Sequence, residues 1–230
     1  MSPAPVIFDL DGTLIDSAPD IHACVNAVLR ENGVPLLPLP RVRSFIGGGV
    51  EILWSRVIAA CGIDPVHRRD LVAAFMARYH DATALTRLYP GVAEALAELT
   101  AAGHPLGICT NKPLGPTRAV LAHFGLTHLF QTVIGGDSLP VKKPDPAPLH
   151  AAFAGLGAQT GIFVGDSEFD ADTAAAMGVP FLLYTEGYRH SPVADLVSHA
   201  HFSDFAALPG LVARLEAQAD GLQPAPQPAP

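Results

Sequence analysis

The chain has 230 residues, of which 49% are hydrophobic and 16% are charged, a balance typical of a globular protein. This length accommodates one large domain, or a core with a smaller insertion. The formal net charge of −8 argues against binding nucleic acid or an anionic membrane by general electrostatic attraction. A single site can still bind an anion if a metal ion and fixed hydrogen-bond donors make its local electrostatic potential positive.

Cysteine usage and the N-terminus indicate the compartment. Cys24, Cys61 and Cys109 lie far apart without a C-x-x-C pair, which predicts buried thiols in a reducing environment and no disulfide framework. The opening "MSPAPVIFDL" lacks the regions of a signal peptide, and no apolar run is long enough to span a membrane. We therefore expect a soluble cytoplasmic protein with no membrane partner.

The first part of the chain predicts one strand followed by helices. The apolar run "PVIFDL" predicts a short buried strand. In "DSAPDIHACVNAVLRENG", apolar residues recur at helical spacing; Asp16 and Ser17 are expected to begin this helix, with Ser17 as its N-cap, and Gly33 to end it. Two more helical segments follow a proline-rich break. Residues 16–82 are therefore predicted to be helical, without a strand.

From about residue 83, strands alternate with helices. The predicted strands are "PLGICT", "QTVIGG", "GIFVGD" and "PFLLYT", and the predicted helices lie near 91–102, 115–124, 146–156, 170–177 and 204–218. This alternation is typical of a parallel sheet covered by helices on both faces. We predict an α/β fold with a Rossmann-like parallel-sheet core (1–15 and 83–221), an inserted helical cap (16–82) and a disordered proline-rich tail (222–230).

Polar residues follow the predicted strands at the positions where such sheets bind ligands, beyond the carboxyl ends. Asp9 and Asp11 follow the first strand. The segments "TNKP", "VKKPDPAP" and "VGDSEFD" stand at or after the ends of three later strands. We expect these carboxylates, hydroxyl, amide and lysine groups to meet at one site.

The same residues carry a family resemblance. In order along the chain, "DLDGTLIDS", "TNKP", "KKPDPAP" and "GDSEFDAD" resemble the four motifs of the haloacid dehalogenase superfamily of phosphohydrolases. The insertion between the first two motifs resembles the helical cap of that superfamily. With "FIGGGV" added, the set is most similar to the bacterial phosphoglycolate phosphatases, and the resemblance implies a HAD-like fold.

The resemblance implies roles for three aspartates in phosphoryl transfer, which needs a nucleophile, cations and an acid/base. Asp9 would be the nucleophile, forming an aspartyl-phosphate, and a ligand of Mg²⁺. Asp11 would protonate the leaving alkoxide and then activate water, while its backbone carbonyl contacts the metal. Asp166 would be the third protein ligand. Mg²⁺ would also relieve the repulsion between carboxylates spaced i, i+2, which point to the same side of an extended chain.

Further residues are expected around the phosphoryl group. By the same resemblance, Thr110 and Lys143 would hold its oxygens, and Asn111 would add a donor. For Thr110, an ordinary hydroxyl at a strand end is the alternative. Lys142 is expected to be a solvated neighbour of Lys143.

Three residues are expected to support the site. Asp170 would be a supporting carboxylate near the metal. Alternatively, it would lie in the first turn of its helix and interact with the helix dipole. Ser167 is expected to be structural or to make an outer contact. Gly12 would let the chain turn sharply after the two acids.

The cap would read the rest of the substrate. Gly47, Gly48 and Gly49 are candidates to bring backbone amides to a small ligand, with a flexible helix connection as the alternative. Phosphoglycolate also carries a carboxylate, which needs a cation or donor. The sequence leaves three candidates for that cation: Arg43, Arg56 and Lys112.

These expectations predict a Mg²⁺-dependent phosphatase of a small-molecule phosphate ester, with 2-phosphoglycolate as the leading substrate. A phosphatase for another small ester and a phosphosugar mutase are alternatives of the same architecture. A phospho-receiver or switch domain is an alternative of another class, because it also uses an aspartate, a metal, a threonine and a lysine at strand ends. A non-catalytic ligand-binding domain is the third.

Overall fold

The computed structural model describes residues 3–221, which form a six-stranded sheet, a two-stranded ribbon and helices. In chain order the elements are β1 (Val6–Phe8), β2 (Ile15–Asp16), α1 (Ala18–Glu31), α2 (Leu39–Arg43), α3 (Val50–Cys61), α4 (Arg68–Tyr79), β3 (Arg87–Leu88), α5 (Val92–Ala101), β4 (Leu106–Cys109), α6 (Leu114–His123), β5 (Phe130–Ile134), α7 (Ala147–Gly155), β6 (Ile162–Gly165), α8 (Glu168–Met177), β7 (Phe181–Tyr184), β8 (Ala200–Phe202) and α9 (Leu208–Gly221). Across this described part, no helix has the length and apolar character that crossing a bilayer requires.

The large sheet is parallel throughout, in the order β5-β4-β1-β6-β7-β8. Alternate residues of β1 point to opposite faces: Val6 and Phe8 join one core with α5, α6 and α9, and Ile7 joins another with α7 and α8. Because both faces are covered, β1, β4, β6 and β7 are buried along their length and have continuous apolar sequences. The predicted α/β fold with a covered parallel sheet is confirmed.

The insertion between β2 and β3 contains α1 to α4, which pack around a hydrophobic core of their own. Val25, Trp54 and Phe75 are fully buried in it. The strands on either side of the insertion pair antiparallel, with Ile15 opposite Leu88. We call this helical insertion the cap and the sheet with its covering helices the core; their limits at residues 16–82 stay a prediction.

Four of the short elements in the structure are not predicted from the sequence: the paired strands β2 and β3, the helix α2 and the edge strand β8. Asp16 lies in β2 and not at a helix start, so that part of the prediction is wrong. Elements of two to five residues are too short to show a hydrophobic period, and pairing with a distant segment decides them. The predicted tail at 222–230 lies outside the described residues.

Candidate active site

The carboxyl ends of three neighbouring strands bring the predicted site residues together. Asp9 follows β1, Thr110 follows β4 and Asp166 follows β6. Their side chains are almost fully buried, at 6%, 3% and 1% exposure. Since β1 lies between β4 and β6, parallel pairing alone places these three groups side by side.

Three carboxylates form a compact cluster at this edge. Asp9, Asp166 and Asp170 each offer an oxygen, and these oxygens lie within 4.8 Å of one another. Burial raises the pKa of Asp9 to about 6; Lys143 opposes the shift and the charge of Asp170 adds to it. Burial, followed by the charges of Asp170 and Asp9, also raises the pKa of Asp166 well above its ordinary value. Burial and mutual repulsion therefore disfavour the ionised forms of Asp9 and Asp166.

The donor set fits a hard divalent cation such as Mg²⁺, which prefers carboxylate oxygens. Oδ1 of Asp9 is buried and accepts no well-oriented hydrogen bond. Asp166 is held in place from two sides, because Thr13 Oγ1 donates to Oδ1 at 2.8 Å and the Tyr188 backbone N–H donates to Oδ2 at 2.6 Å. Asp9 and Asp166 are thus positioned to share one ion.

Asp170 is already engaged by the protein. Its Oδ2 accepts hydrogen bonds from the backbone N–H of Ser167 at 3.0 Å and from the Ser167 hydroxyl at 2.7 Å. The two residues form a capping box at the start of α8. Oδ1 of Asp170 accepts from Lys143 Nζ at 2.6 Å. Ser167 is accordingly placed as a helix cap, and Asp170 lies in the first helical turn and also supports the lysine.

Lys143 sits between two carboxylates. Its Nζ lies 2.8 Å from Oδ1 of Asp9 and 2.6 Å from Oδ1 of Asp170. Burial alone lowers the pKa of Lys143, but the attraction of Asp170 and then of Asp9 outweighs it and raises the pKa above its ordinary value. The side chain therefore stays an ammonium ion. Lys142, in contrast, is half-buried and its Nζ lies beside Gly49 in the cap.

Asp11 lies apart from the cluster, on the side facing the cap. Its Oδ1 accepts hydrogen bonds from Ser17 Oγ at 2.6 Å and from Lys112 Nζ at 3.1 Å. Ser17 occupies the N-cap position of α1, but its side chain makes no capping bond. Ser17 thus stands at the expected N-cap position, but the expected capping bond is not formed, and its hydroxyl donates to Asp11.

A cleft between core and cap opens onto Asp9 and Asp11. Its space free of protein atoms is about 430 Å³, a figure that includes solvent at its mouth. The core contributes Asp9, Asp11, Thr110, Asn111, Lys112 and Pro113, and the cap contributes Ile21, Ile46, Gly47, Gly49, Val50, Leu53 and Tyr79. Gly48 is not among the lining residues, and a Cβ there would meet Ile52. The cap loop thus presents Gly47 and Gly49 to the cleft, without Gly48.

Asn111 joins the cap loop to the loop of Lys143. Its side-chain amide donates to the carbonyls of Gly47 and Lys143, each at 3.1 Å. Both amide hydrogens are therefore used within the protein. Thr110 remains open to the cleft, and its Oγ1 also accepts from the backbone N–H of Lys112 at 3.3 Å.

Gly12 allows the chain to pass close to Asp166. Its φ is +92°, and a Cβ at this position would lie 2.8 Å from Cγ of the Asp166 carboxyl group. A side chain is thus excluded both by the backbone conformation and by the neighbouring carboxylate.

Three residues that shape the site are not predicted from the sequence. Thr13 and Tyr188 orient Asp166, and Tyr79 reaches from the end of α4 to the cleft. Thr13 stands inside the quoted motif "DLDGTLIDS", which was a usable signal. Tyr79 and Tyr188 have no such signal, because only the packing of cap on core brings them to the site.

The fold and the site together define a class of protein: a parallel α/β core with an acidic edge and a helical cap over the cleft. A family model described as haloacid dehalogenase-like hydrolase matches residues 6–184, and the chain belongs to this family.

Curated relatives and a solved structure agree with this assignment. The chain is 52% identical over 213 residues to a phosphoglycolate phosphatase of Cereibacter sphaeroides, covering 91% of this chain and 98% of the relative. It is 48% identical to the phosphoglycolate phosphatase of Rhodobacter capsulatus, covering 92% and 97%. A Haemophilus somnus crystal structure, described as a predicted phosphoglycolate phosphatase, aligns with a TM-score of 0.85 at 32% identity, covering 92% and 98%. The resemblance inferred from the motifs is confirmed.

Proposed function

We propose that the chain is a Mg²⁺-dependent phosphatase that hydrolyses 2-phosphoglycolate to glycolate and phosphate through an aspartyl-phosphate on Asp9. The observation that carries the proposal is the state of Asp9: its Oδ1 is buried at the cleft, accepts no well-oriented hydrogen bond and faces the Lys143 ammonium at 2.8 Å. The names of the curated relatives support the choice of substrate.

The metal site consists of this chain's own groups. Asp9, Asp166 and the backbone carbonyl of Asp11 would hold Mg²⁺, which supplies positive charge for the phosphoryl oxygens. Thr110 and Lys143 hold and neutralise the same oxygens from the protein side. Asp170 keeps Lys143 in place by its 2.6 Å ion pair. The phosphoryl group is thereby oriented toward Asp9.

Two displacements at phosphorus complete the reaction. In the first, an oxygen of Asp9 forms a bond to phosphorus while the ester bond breaks, and Asp11 gives its proton to the departing glycolate oxygen. In the second, Asp11 takes a proton from a water molecule as the water oxygen attacks phosphorus. The bond to Asp9 then breaks, and inorganic phosphate leaves with Asp9 restored.

Initial rates of phosphate release test the proposal, with 2-phosphoglycolate, sugar phosphates, pyrophosphate and nucleotides as substrates, with and without a chelator. We expect many turnovers per chain, the highest kcat/KM for phosphoglycolate, loss of activity with the chelator and recovery with Mg²⁺. Phosphate release that stops near one equivalent would point to a switch domain. Conversion of sugar phosphate isomers without net phosphate release would point to a mutase.

Asp9→Asn provides the matched variant, since the amide has the same shape but cannot attack phosphorus. We expect turnover to fall by at least about 1,000-fold. The thermal midpoint should not fall, because the substitution removes a buried carboxylate whose pKa burial raises. Activity close to that of the unaltered chain would exclude Asp9 as the nucleophile.

A further inference from the structure

The cleft contains one basic side chain that the two displacements do not use. Within the described part of the chain, Lys112 is the only basic residue that lines the cleft. Its Nζ is buried against the core and donates to Oδ1 of Asp11 at 3.1 Å and to the hydroxyl of Tyr79. A buried ammonium ion beside the leaving-group acid adds a fixed positive charge on the leaving-group side of the site.

We infer that Lys112 binds the carboxylate of the substrate and thereby selects phosphate esters with an anionic leaving group. This inference rests on the proposed function, because it assigns a residue to the non-phosphate end of the same substrate.

The spacing of the two groups matches the substrate. In 2-phosphoglycolate, a single methylene carbon separates the ester oxygen from the carboxylate carbon. The acid that protonates the ester oxygen and the cation that meets the carboxylate must therefore be neighbours. Asp11 and Lys112 meet this requirement at 3.1 Å. A cation further from Asp11 cannot reach the carboxylate while Asp11 reaches the ester oxygen.

The other candidate cations lie away from the leaving-group side of the cleft. The guanidinium group of Arg43 lies 3.0 Å from Oδ2 of Asp16. Arg56 donates to the carbonyl of Ser44 at 3.5 Å. Neither arginine lines the cleft. Lys143 is paired with two carboxylates on the nucleophile side. The choice that the sequence leaves open is resolved in favour of Lys112.

Tyr79 completes the subsite from the cap. Its ring centroid lies 4.4 Å from Nζ of Lys112, so that the ammonium also makes a cation–π contact. Burial, followed by the charge of Asp11, raises the pKa of Tyr79 well above its ordinary value, and the phenol stays neutral. Because its oxygen accepts from Lys112, its own proton is available for a carboxylate oxygen. A carboxylate would thus meet an ammonium and a hydroxyl donor.

The test compares 2-phosphoglycolate with ethyl phosphate, in which a methyl group replaces the carboxylate. We expect Lys112→Met to lower the ratio of the two kcat/KM values by about 30-fold or more, mainly through KM for phosphoglycolate, because a charge-assisted hydrogen bond is lost. Lys112→Arg should restore part of the ratio. Lys142→Met, which removes a neighbouring charge, should change the ratio by less than about threefold.

Each other outcome has a distinct meaning. Equal losses for both substrates in Lys112→Met would overturn the inference, because the lysine would then act only through Asp11. A fall in the ratio in Lys142→Met alone would also overturn it. If the unaltered chain shows no preference for phosphoglycolate, the proposed substrate itself fails, and the inference with it. If Lys112→Met does not fold, Tyr79→Phe serves instead: a ratio lowered by about threefold or more supports the subsite, and an unchanged ratio contradicts it.

Discussion

The hydroxyl group of Tyr188 donates to Oδ1 of Asp16 at 2.7 Å, while the backbone N–H of the same tyrosine donates to Asp166 at 2.6 Å. Its hydroxyl oxygen also accepts from the backbone N–H of Ala18, the first residue of α1. One residue therefore links the carboxylate cluster to the strand and helix that lead into the cap. We therefore expect a movement of the cap at this point to act on the residue that donates to Asp166.

Tyr188→Phe should loosen this link without removing the backbone bond to Asp166. We expect a loss of about 1–2 kcal/mol in the free energy of unfolding and a fall of about 3- to 10-fold in kcat/KM. Urea denaturation and steady-state kinetics measure the two effects. Tyr89→Phe is the matched control, because the buried hydroxyl of Tyr89 has no hydrogen-bond partner among residues 3–221. Equal losses in the two variants would contradict a role for the Tyr188 hydroxyl.

Lys143→Met should destabilise the chain strongly, because it leaves Asp9 and Asp170 buried together without their shared cation. We expect the free energy of unfolding to fall by about 3–5 kcal/mol at neutral pH without Mg²⁺, and turnover to be lost. Adding Asp170→Asn in the same chain should recover part of the stability but none of the turnover. Denaturation of both variants in the presence of a chelator measures this. A loss below about 1 kcal/mol in Lys143→Met would show that the ion pairs contribute little.

Gly12→Ala should combine backbone strain with a steric conflict at Asp166. We expect about 3–5 kcal/mol of destabilisation and weaker Mg²⁺ binding, since Asp166 must shift. Gly33→Ala separates the two causes: Gly33 also has a positive φ, of +67°, but a Cβ there would meet nothing within 4 Å. It should cost about 1–2 kcal/mol and leave Mg²⁺ binding unchanged. Similar losses of stability in the two variants would show that backbone strain, and not the steric conflict with Asp166, causes the destabilisation.

The pH dependence follows from the raised pKa of Asp9, about 6 in the folded chain against an ordinary 3.8. Between these values the folded state binds more protons than the unfolded state, so stability without Mg²⁺ falls as pH rises through this window. By this linkage, the ionisation of Asp9 lowers the free energy of unfolding by about 3 kcal/mol as pH rises through the window. The raised pKa of Asp166 acts in the same direction.

Mg²⁺ must displace the proton of Asp9, so the stabilisation it gives should be small near about pH 5 and should level off above about pH 7. Thermal midpoints measured across pH, with chelator and with excess MgCl₂, test both trends. In Asp9→Asn, the thermal midpoint measured with chelator should change less with pH between 3.8 and about 6. A Mg²⁺ effect that is constant over this range would exclude Asp9 as a ligand that must ionise.

Periodicity and strand ends were sufficient to predict the sheet, most helices and the meeting of Asp9, Thr110 and Asp166. These features depend on short-range pattern and on the geometry common to parallel sheets. Tyr79 and Tyr188 could not be predicted, because their place depends on how the cap packs against the core. The hydroxyl of Ser17 shows the same limit: its position predicts a helix cap, but its orientation is decided in the folded chain, where it donates to Asp11 and makes no capping bond.

The β2–β3 ribbon has a consequence for how this architecture diversifies. The cap departs at Ile15–Asp16 and returns at Arg87–Leu88, on two paired strands. The ends of the insertion are therefore only one strand spacing apart, about 5 Å. A different insertion could be grafted onto the same two ends without disturbing the parallel sheet or its acidic edge. The parallel sheet and the helical insertion are thereby separately exchangeable pieces of one polypeptide.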